Sequence, residues 1–294
     1  MDLSSRRNFL KTTTLSVAAT GGEAYLAKPA HAQIGEETTP LKLGTVTYNI
    51  AKDWTLDEVF KNLEEVQFEG VELRTTHAHG VEVTLSAEER ETVKKRFADS
   101  SIGLVQLGSA FEYHSPDQEE VRKNIEGSKE FIKLAHDVGA PGIKVRPNGI
   151  PAEVPEEMTI EQIGKSLREV GEFADGYGVE VRVEVHGRES SRIPRIKKMM
   201  DIADHPLVVV NWNSNQTDLE DGGFESNFDL VKDKIKHVHI VDLFREDYPW
   251  RRLFERLKEI NYEGYCCAEI PASSDPLRVL RYYRALFLAY QGAL

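Results

Sequence analysis

The sequence predicts a (β/α)8 TIM barrel over residues 41–294, and three observations carry that prediction. Past residue 40, short β-rich runs alternate with long amphipathic runs, eight times over. Eight such units in roughly 250 residues is the count and size of this barrel. An open doubly wound sheet shares the alternation but ordinarily shows a glycine-rich phosphate loop after an early strand. Here the first strand runs into Val46-Thr47-Tyr48-Asn49-Ile50, with no such loop.

Taken in order, strands are expected at 42–48, 70–74, 102–107, 142–146, 179–185, 207–212, 236–241 and 264–269. Helices are expected at 55–67, 86–100, 117–138, 159–177, 192–204, 225–234, 250–260 and 276–290. In the third helix Val121, Ile125, Ile132, Ala135 and Val138 recur at helical spacing. Ser86 with Glu89 three residues on forms a capping box, and Ser115-Pro116 reads as a cap followed by a first-turn proline. The proline-rich stretch 147–157 reads as a long loop after strand four, and no domain boundary or low-complexity linker interrupts 41–294.

Residues 1–32 stand apart. Ser5-Arg6-Arg7-Asn8-Phe9-Leu10-Lys11 resembles the twin-arginine export signal of bacteria; a weakly apolar stretch follows, then Ala30-His31-Ala32, an A-x-A cleavage pattern. Residues 33–40 form a linker. The expected location is therefore the periplasm or the cell exterior. The net charge is −12, and it would be −14 for a chain starting at Gln33. That argues against a nucleic-acid partner, which requires a basic surface. No run of eighteen apolar residues exists, so no membrane-spanning helix and no membrane association after export are expected. Cys266 and Cys267 are adjacent and point opposite ways on a strand, so they read as small core residues.

Strand parity then sorts the polar residues. In a barrel the helix-facing side must be apolar, and in strand five Val179, Val181, Val183 and Val185 supply it. Glu180, Arg182, Glu184 and His186 must point inward, where unpaired charges would cost several kcal/mol each. The same rule turns inward Glu72 and Arg74, Lys144 and Arg146, Asn211 and Asn213, His237 and His239, and Cys267 and Glu269. They converge on the C-terminal mouth, where barrel enzymes keep their chemistry. Two carboxylates, an imidazole and an oxygen donor fit a hard or borderline divalent ion such as Mn²⁺, Mg²⁺, Co²⁺ or Zn²⁺, and Glu184 with Glu269 would neutralise its charge.

From about residue 41 onward the chain resembles the sugar phosphate isomerase/epimerase superfamily, the xylose isomerase-like barrels. The resemblance rests on a glutamate ending strand five (Val183-Glu184-Val185-His186), an H-x-H strand seven (His237-Val238-His239), and a late glutamate after a Tyr-x-Gly turn (Tyr262-Glu263-Gly264, then Glu269). It implies metal ligation by His239, Glu184 and Glu269. The family's fourth ligand is usually an aspartate in a D-x-x-H arrangement on strand six; this chain has Asn213-Ser214-Asn215-Gln216. Either the Asn213 amide oxygen, a weaker neutral donor, or Asp218 or a water would complete the shell. The resemblance also implies an acid/base pair, Glu184 and Glu269, that removes and returns a proton next to a carbonyl.

Around this centre Lys144 and Arg146 read as holders of substrate oxygens or as partners of Glu180 and Glu72. His186 and Glu72 are placed with the substrate, His237 behind the ligands, and Asp242 either on the substrate or orienting His239. His77 and His79 fall where a lid or specificity loop would lie, and Trp54, Phe111, Tyr113 and Trp250 are candidates to stack on a sugar face.

Three functions are compatible with these features. The first is isomerisation or epimerisation of a free or oxidised sugar. The second is a lyase or hydratase that opens 3-keto-glycosides by β-elimination. The third is a non-catalytic sugar-binding barrel whose metal site decayed through Asn213. The abasic-site endonuclease that shares this barrel is opposed by charge and export. The expected partner is a small carbohydrate, and a homo-oligomer is left open.

Overall fold

Runs such as Val179 to Val185, apolar at every second position, are what an inner sheet covered by helices demands. The computed structural model describes residues 40–292, and the proposed export signal lies outside the described residues. Eight parallel strands, β1 (Lys42–Val46), β2 (Gly70–Arg74), β3 (Gly103–Glu112), β4 (Gly142–Arg146), β5 (Glu180–Glu184), β6 (Val208–Asn213), β7 (Ile235–Ile240) and β8 (Tyr265–Ala268), pair in chain order. β8 closes onto β1, with Lys42 opposite Tyr265 and Thr45 opposite Ala268. The helices are α1 (Leu56–Val66), α2 (Ala87–Ala98), α3 (Gln118–Val138), α4 (Glu156–Ala174), α5 (Ile193–Ala203), α6 (Gly223–Val231), α7 (Trp250–Glu259) and α8 (Pro276–Tyr290). The fold is the (β/α)8 TIM barrel the sequence predicts. Among the described residues no helix is long and apolar enough to cross a membrane.

The main core lies between strands and helices. Val71, Val181, Val183, Val210 and Val238 face outward into it and meet helical residues such as Leu63, Ile132, Ile163 and Leu253. The inward side holds a small apolar floor of Val46, Val105 and Cys267, with polar groups above it. Cys266 faces the helices and Cys267 the interior; both are buried free thiols.

The Ser86–Glu89 capping box is present at α2, and Thr55 with Glu58 builds a second one at α1. At α3 the expected cap is displaced. Asp117, not Ser115, is the N-cap, its carboxylate accepting from the Glu119 N–H. Ser115 instead accepts the Asp117 N–H and donates to Glu120, so Pro116 precedes the helix. The fourth helix starts at Glu156 rather than 159, because Pro155 opens it and two glutamates occupy its first turn.

β3 extends five residues beyond its expected end. Its pairing with β2 skips Val105: Val71 faces Leu104, and Glu72 faces Gln106. Such a bulge breaks the two-residue alternation. The loops after β4 and β5 are tied by a two-residue parallel pairing of Asn148–Gly149 with Gly187–Arg188. Gly187 sits at φ +98°, and a Cβ there would collide with the Asn148 backbone, so glycine is required.

Candidate active site

Register brings the polar positions to one level. Glu184 lies opposite Asn211, Asn213 opposite His239, and His239 opposite Cys267. Glu269, just past β8, keeps the ladder going through its N–H to the Ile240 carbonyl. Side chains from β5, β7 and the end of β8 thus meet at the C-terminal mouth.

His239 is the hub, wholly buried, with each ring nitrogen facing a different group. Nδ1 is 3.2 Å from Glu184 Oε1 and 3.5 Å from Glu269 Oε2. Nε2 is 2.6 Å from Glu72 Oε2. Lys144, also buried, places its ammonium 2.9 Å from Glu184 Oε2 and 4.0 Å from Glu72 Oε1. Asn213 Nδ2 is 3.4 Å from Glu184 Oε1, and Asn211 Nδ2 is 3.3 Å from His239 Nε2. Glu269 alone of the three glutamates keeps exposure, with 19% of its side chain open to solvent at the mouth.

The charges set one another's proton affinities. Burial pushes the Glu184 carboxyl up, but Lys144 and His239 outweigh it and hold the group well below the usual carboxylate range. Glu269 goes the other way, raised by burial and by the like charge of Glu184. Burial would lower His239; the charges of Glu72 and Glu269 and the bonds to Glu184 and Glu72 instead raise it to about 10. For Lys144 too, burial is outweighed, here by Glu184, Glu72 and Glu269, and its pKa rises.

Among the described residues two triads bring ligand atoms within 4.8 Å of one another: Glu72, His237 and His239, and Glu184, His239 and Glu269. The second fits a divalent ion that a substrate must reach, because it opens at the mouth. With all three carboxyls ionised, Lys144 and a protonated His239 leave one negative charge in excess; a divalent ion in exchange for the His239 proton removes it. Two carboxylates and an imidazole suit zinc, manganese or cobalt. The Asn211 Oδ1 and Glu72 Oε1 atoms are buried without hydrogen-bond partners, as befits a site built for more charge than the chain supplies.

The other expected site residues divide. Glu72 joins the cluster but has no exposure, so it lies beneath His239 and out of a substrate's reach. His237 is likewise sealed, its ring 5.0 Å from that of His239 and its Nε2 3.3 Å from Glu72 Oε2. Arg146 pairs with Glu112 and Glu180 with Arg182; of the expected pairings, Lys144 with Glu72 is present, at 4.0 Å. His186 donates from Nδ1 to Asn148 Oδ1 at 2.9 Å, on the rim. Asp242 is half-buried beyond β7, and the His239 nitrogens go to the glutamates rather than to it. Asp218 is not part of the cluster: it is buried under the Tyr248 hydroxyl, 2.6 Å away, and accepts the Asn215 N–H.

His79 is tied between the Arg74 carbonyl and the Val81 N–H, while His77 bonds Thr47 and stacks near Tyr48. Tyr113 and Trp250 are core residues, bonded to Ser128 and to the Arg245 carbonyl, and Phe111 packs edge-on against Phe131. Trp54 packs half-buried against the core. The exposed aromatics on the mouth loops are Tyr48 and Phe244, which strand parity does not single out. Gln106 was also missed: its Nε2 donates to Glu72 Oε2 at 2.6 Å, but the bulge at Val105 hides it from a two-residue count.

A profile of the xylose isomerase-like TIM barrel family matches residues 60–286. Fructoselysine 3-epimerase of Escherichia coli O157:H7 is 20% identical over 246 residues, which is 73% of this chain and 85% of that one. The crystal structure of apo 3-keto-D-glucoside 4-epimerase from E. coli superposes with a TM-score of 0.71 at 19% identity, covering 85% of this chain and 99% of that one. The structure of the IOLI protein with a bound zinc atom gives 0.70 at 15% identity, covering 85% and 99%. At these identities the solved structures speak for the fold.

Proposed function

Because the chain belongs to the xylose isomerase-like TIM barrel family, we propose that it is an exported sugar isomerase or epimerase that moves a proton next to the carbonyl of a free or oxidised sugar. One observation carries the reading: Glu184 and Glu269, from different strands, converge on His239 Nδ1 at the open end of the barrel. A divalent ion held by Glu184, His239 and Glu269, with Asn213 alongside, would polarise the carbonyl and stabilise the enediolate that proton loss creates. The opposite shifts of the two glutamates support their division of labour. Glu184, kept ionised, is the base that takes the proton; Glu269, more readily protonated, returns one from its own side. The buried Lys144 ammonium, 2.9 Å from Glu184 Oε2, would hold a substrate oxygen beside that carboxylate. Arg146, His186 and Asp242 would meet more distant hydroxyls from the rim.

The activities of two similar proteins, a fructoselysine 3-epimerase and a 3-keto-D-glucoside 4-epimerase, support sugar epimerisation as the reaction class. The twin-arginine pattern at Ser5–Lys11 supports a place of work outside the cytoplasm, where phosphorylated sugars are scarce. A second reading, β-elimination from a 3-keto-glycoside, gains from Lys144: an ammonium beside the proposed base can protonate the departing oxygen.

Incubating the metal-loaded protein with free ketoses and with 3-keto-glycosides in D₂O separates these readings. Epimerisation gives deuterium at the inverted carbon; elimination releases the aglycone; neither product from any sugar, with binding retained, would identify a non-catalytic barrel. A positioned acid or base is worth about 10²–10⁴-fold in rate. Glu184→Gln and Glu269→Gln should each lose turnover on that order, and an unchanged rate in either removes that residue from the acid/base pair.

A further inference from the structure

We infer that Glu72 is a positioning residue: it fixes which nitrogen of His239 is presented to the mouth. The inference rests on the metal-assisted reading of the site given above. Imidazole has two nitrogens, and only one can face the centre formed by Glu184 and Glu269. In this barrel that nitrogen is Nδ1, because Nε2 points away, 2.6 Å from Glu72 Oε2. An ionised carboxylate can only accept, so Nε2 carries the hydrogen and the neutral ring keeps its lone pair on Nδ1. A carboxylate behind a ligating histidine is a general means of fixing the ring's tautomer and raising its basicity.

Three further features hold Glu72 to this task. It is wholly buried, so it is out of contact with solvent and with any sugar in the mouth. Gln106 Nε2 donates to the same Oε2 atom at 2.6 Å, which sets the carboxylate plane. Gly108 on β3 leaves the space that the carboxylate occupies, since a Cβ there would collide with Glu72 Oε1. The bulge at Val105 is what swings Gln106 opposite Glu72. Strand three is thus shaped around a group that meets no substrate.

The test uses the full chain, stripped with a chelator, and a Glu72→Gln variant that keeps the shape and loses the charge. Isothermal titration with Co²⁺ should show affinity in the variant roughly 10–100-fold weaker. Proton–nitrogen NMR of labelled histidines should show a strongly hydrogen-bonded Nε2–H on His239 in the wild type, assigned with His239→Asn, and that signal should move upfield or disappear in Glu72→Gln, whose neutral amide is a weaker acceptor. Equal cobalt affinity with an unchanged His239 signal overturns the inference and leaves the metal reading intact. A wild-type chain that takes up no cobalt overturns the metal reading, and the NMR signal then decides the role of Glu72 alone. Should the variant not fold, the wild-type spectrum decides: a His239 proton found on Nδ1 in the zinc-loaded protein refutes the assignment.

Discussion

His237 is wholly buried; its Nε2 lies 3.3 Å from Glu72 Oε2 without hydrogen-bond geometry and its Nδ1 has no partner, a costly state for a polar side chain. Burial outweighs the nearby Glu72 and lowers its pKa to about 3, so the ring is neutral in the folded protein. In the unfolded chain it would titrate near its ordinary value of 6.5. Its folded pKa is therefore the lower of the two, and the stability it confers is present above about 6.5 and lost as pH falls toward 3. His237→Phe removes that titration while conserving shape. It should change stability at neutral pH by less than about 1.5 kcal/mol and move the acid-unfolding midpoint downward, read by circular dichroism. An acid midpoint that stays put would show that His237 is not the group that charges. His239, two residues on, carries the opposite shift, because carboxylates surround it on both sides. Parity turns both histidines inward but cannot tell them apart; their depth relative to Glu72 and Glu269 does.

At the level of elements, most boundaries were legible because turn and cap chemistry is local. The α1 and α8 spans and the starts of all eight strands sit within about one residue of expectation, while β3 runs past its expected end. The departures have named causes. At α3 two side chains compete for the same N-terminus, and the carboxylate of Asp117 wins the Glu119 N–H while the Ser115 hydroxyl supports Asp117. Asp117→Ala should therefore cost about 0.5–2 kcal/mol, and Ser115→Ala less, measured by urea denaturation. The reverse order would restore Ser115 as the cap. In β3 the bulge at Val105 changes which side chains face inward, and with them the contacts of Glu72. A bulge depends on the neighbouring strand's register, which no local pattern in Leu104 to Leu107 announces. The Asn148–Gly149 and Gly187–Arg188 pairing has the same origin: it exists only because β4 and β5 are neighbours.

For the molecule as a whole, seven of the eight strands deliver polar groups to one interior, and the resulting charge imbalance would link stability to a divalent ion bound at the mouth. A ligand at a hundred times its Kd adds about 2.7 kcal/mol to folding. In a barrel of this size that corresponds to a rise in melting temperature of roughly 5–10 °C. Differential scanning fluorimetry with zinc or manganese, and with chelator, should show that rise. Identical melting curves would mean that the mouth holds no ion. Because His239 must release a proton to ligate, and its pKa without metal is raised to about 10, metal affinity should climb as pH rises through neutrality.

The sequence by itself determined the barrel, the order of its units and the inward turn of Glu184, His239 and Glu269. Periodicity, caps and strand parity act within a few residues and survive without neighbours. Only the tertiary structure decided that Glu72 lies behind His239 rather than before a substrate, that Lys144 pairs with Glu184, that Asp218 serves Tyr248, and that Tyr113 and Trp250 belong to the core. Those outcomes depend on depth along the barrel axis and on register across strands. Both are fixed by closure of the sheet, a property of all eight strands together.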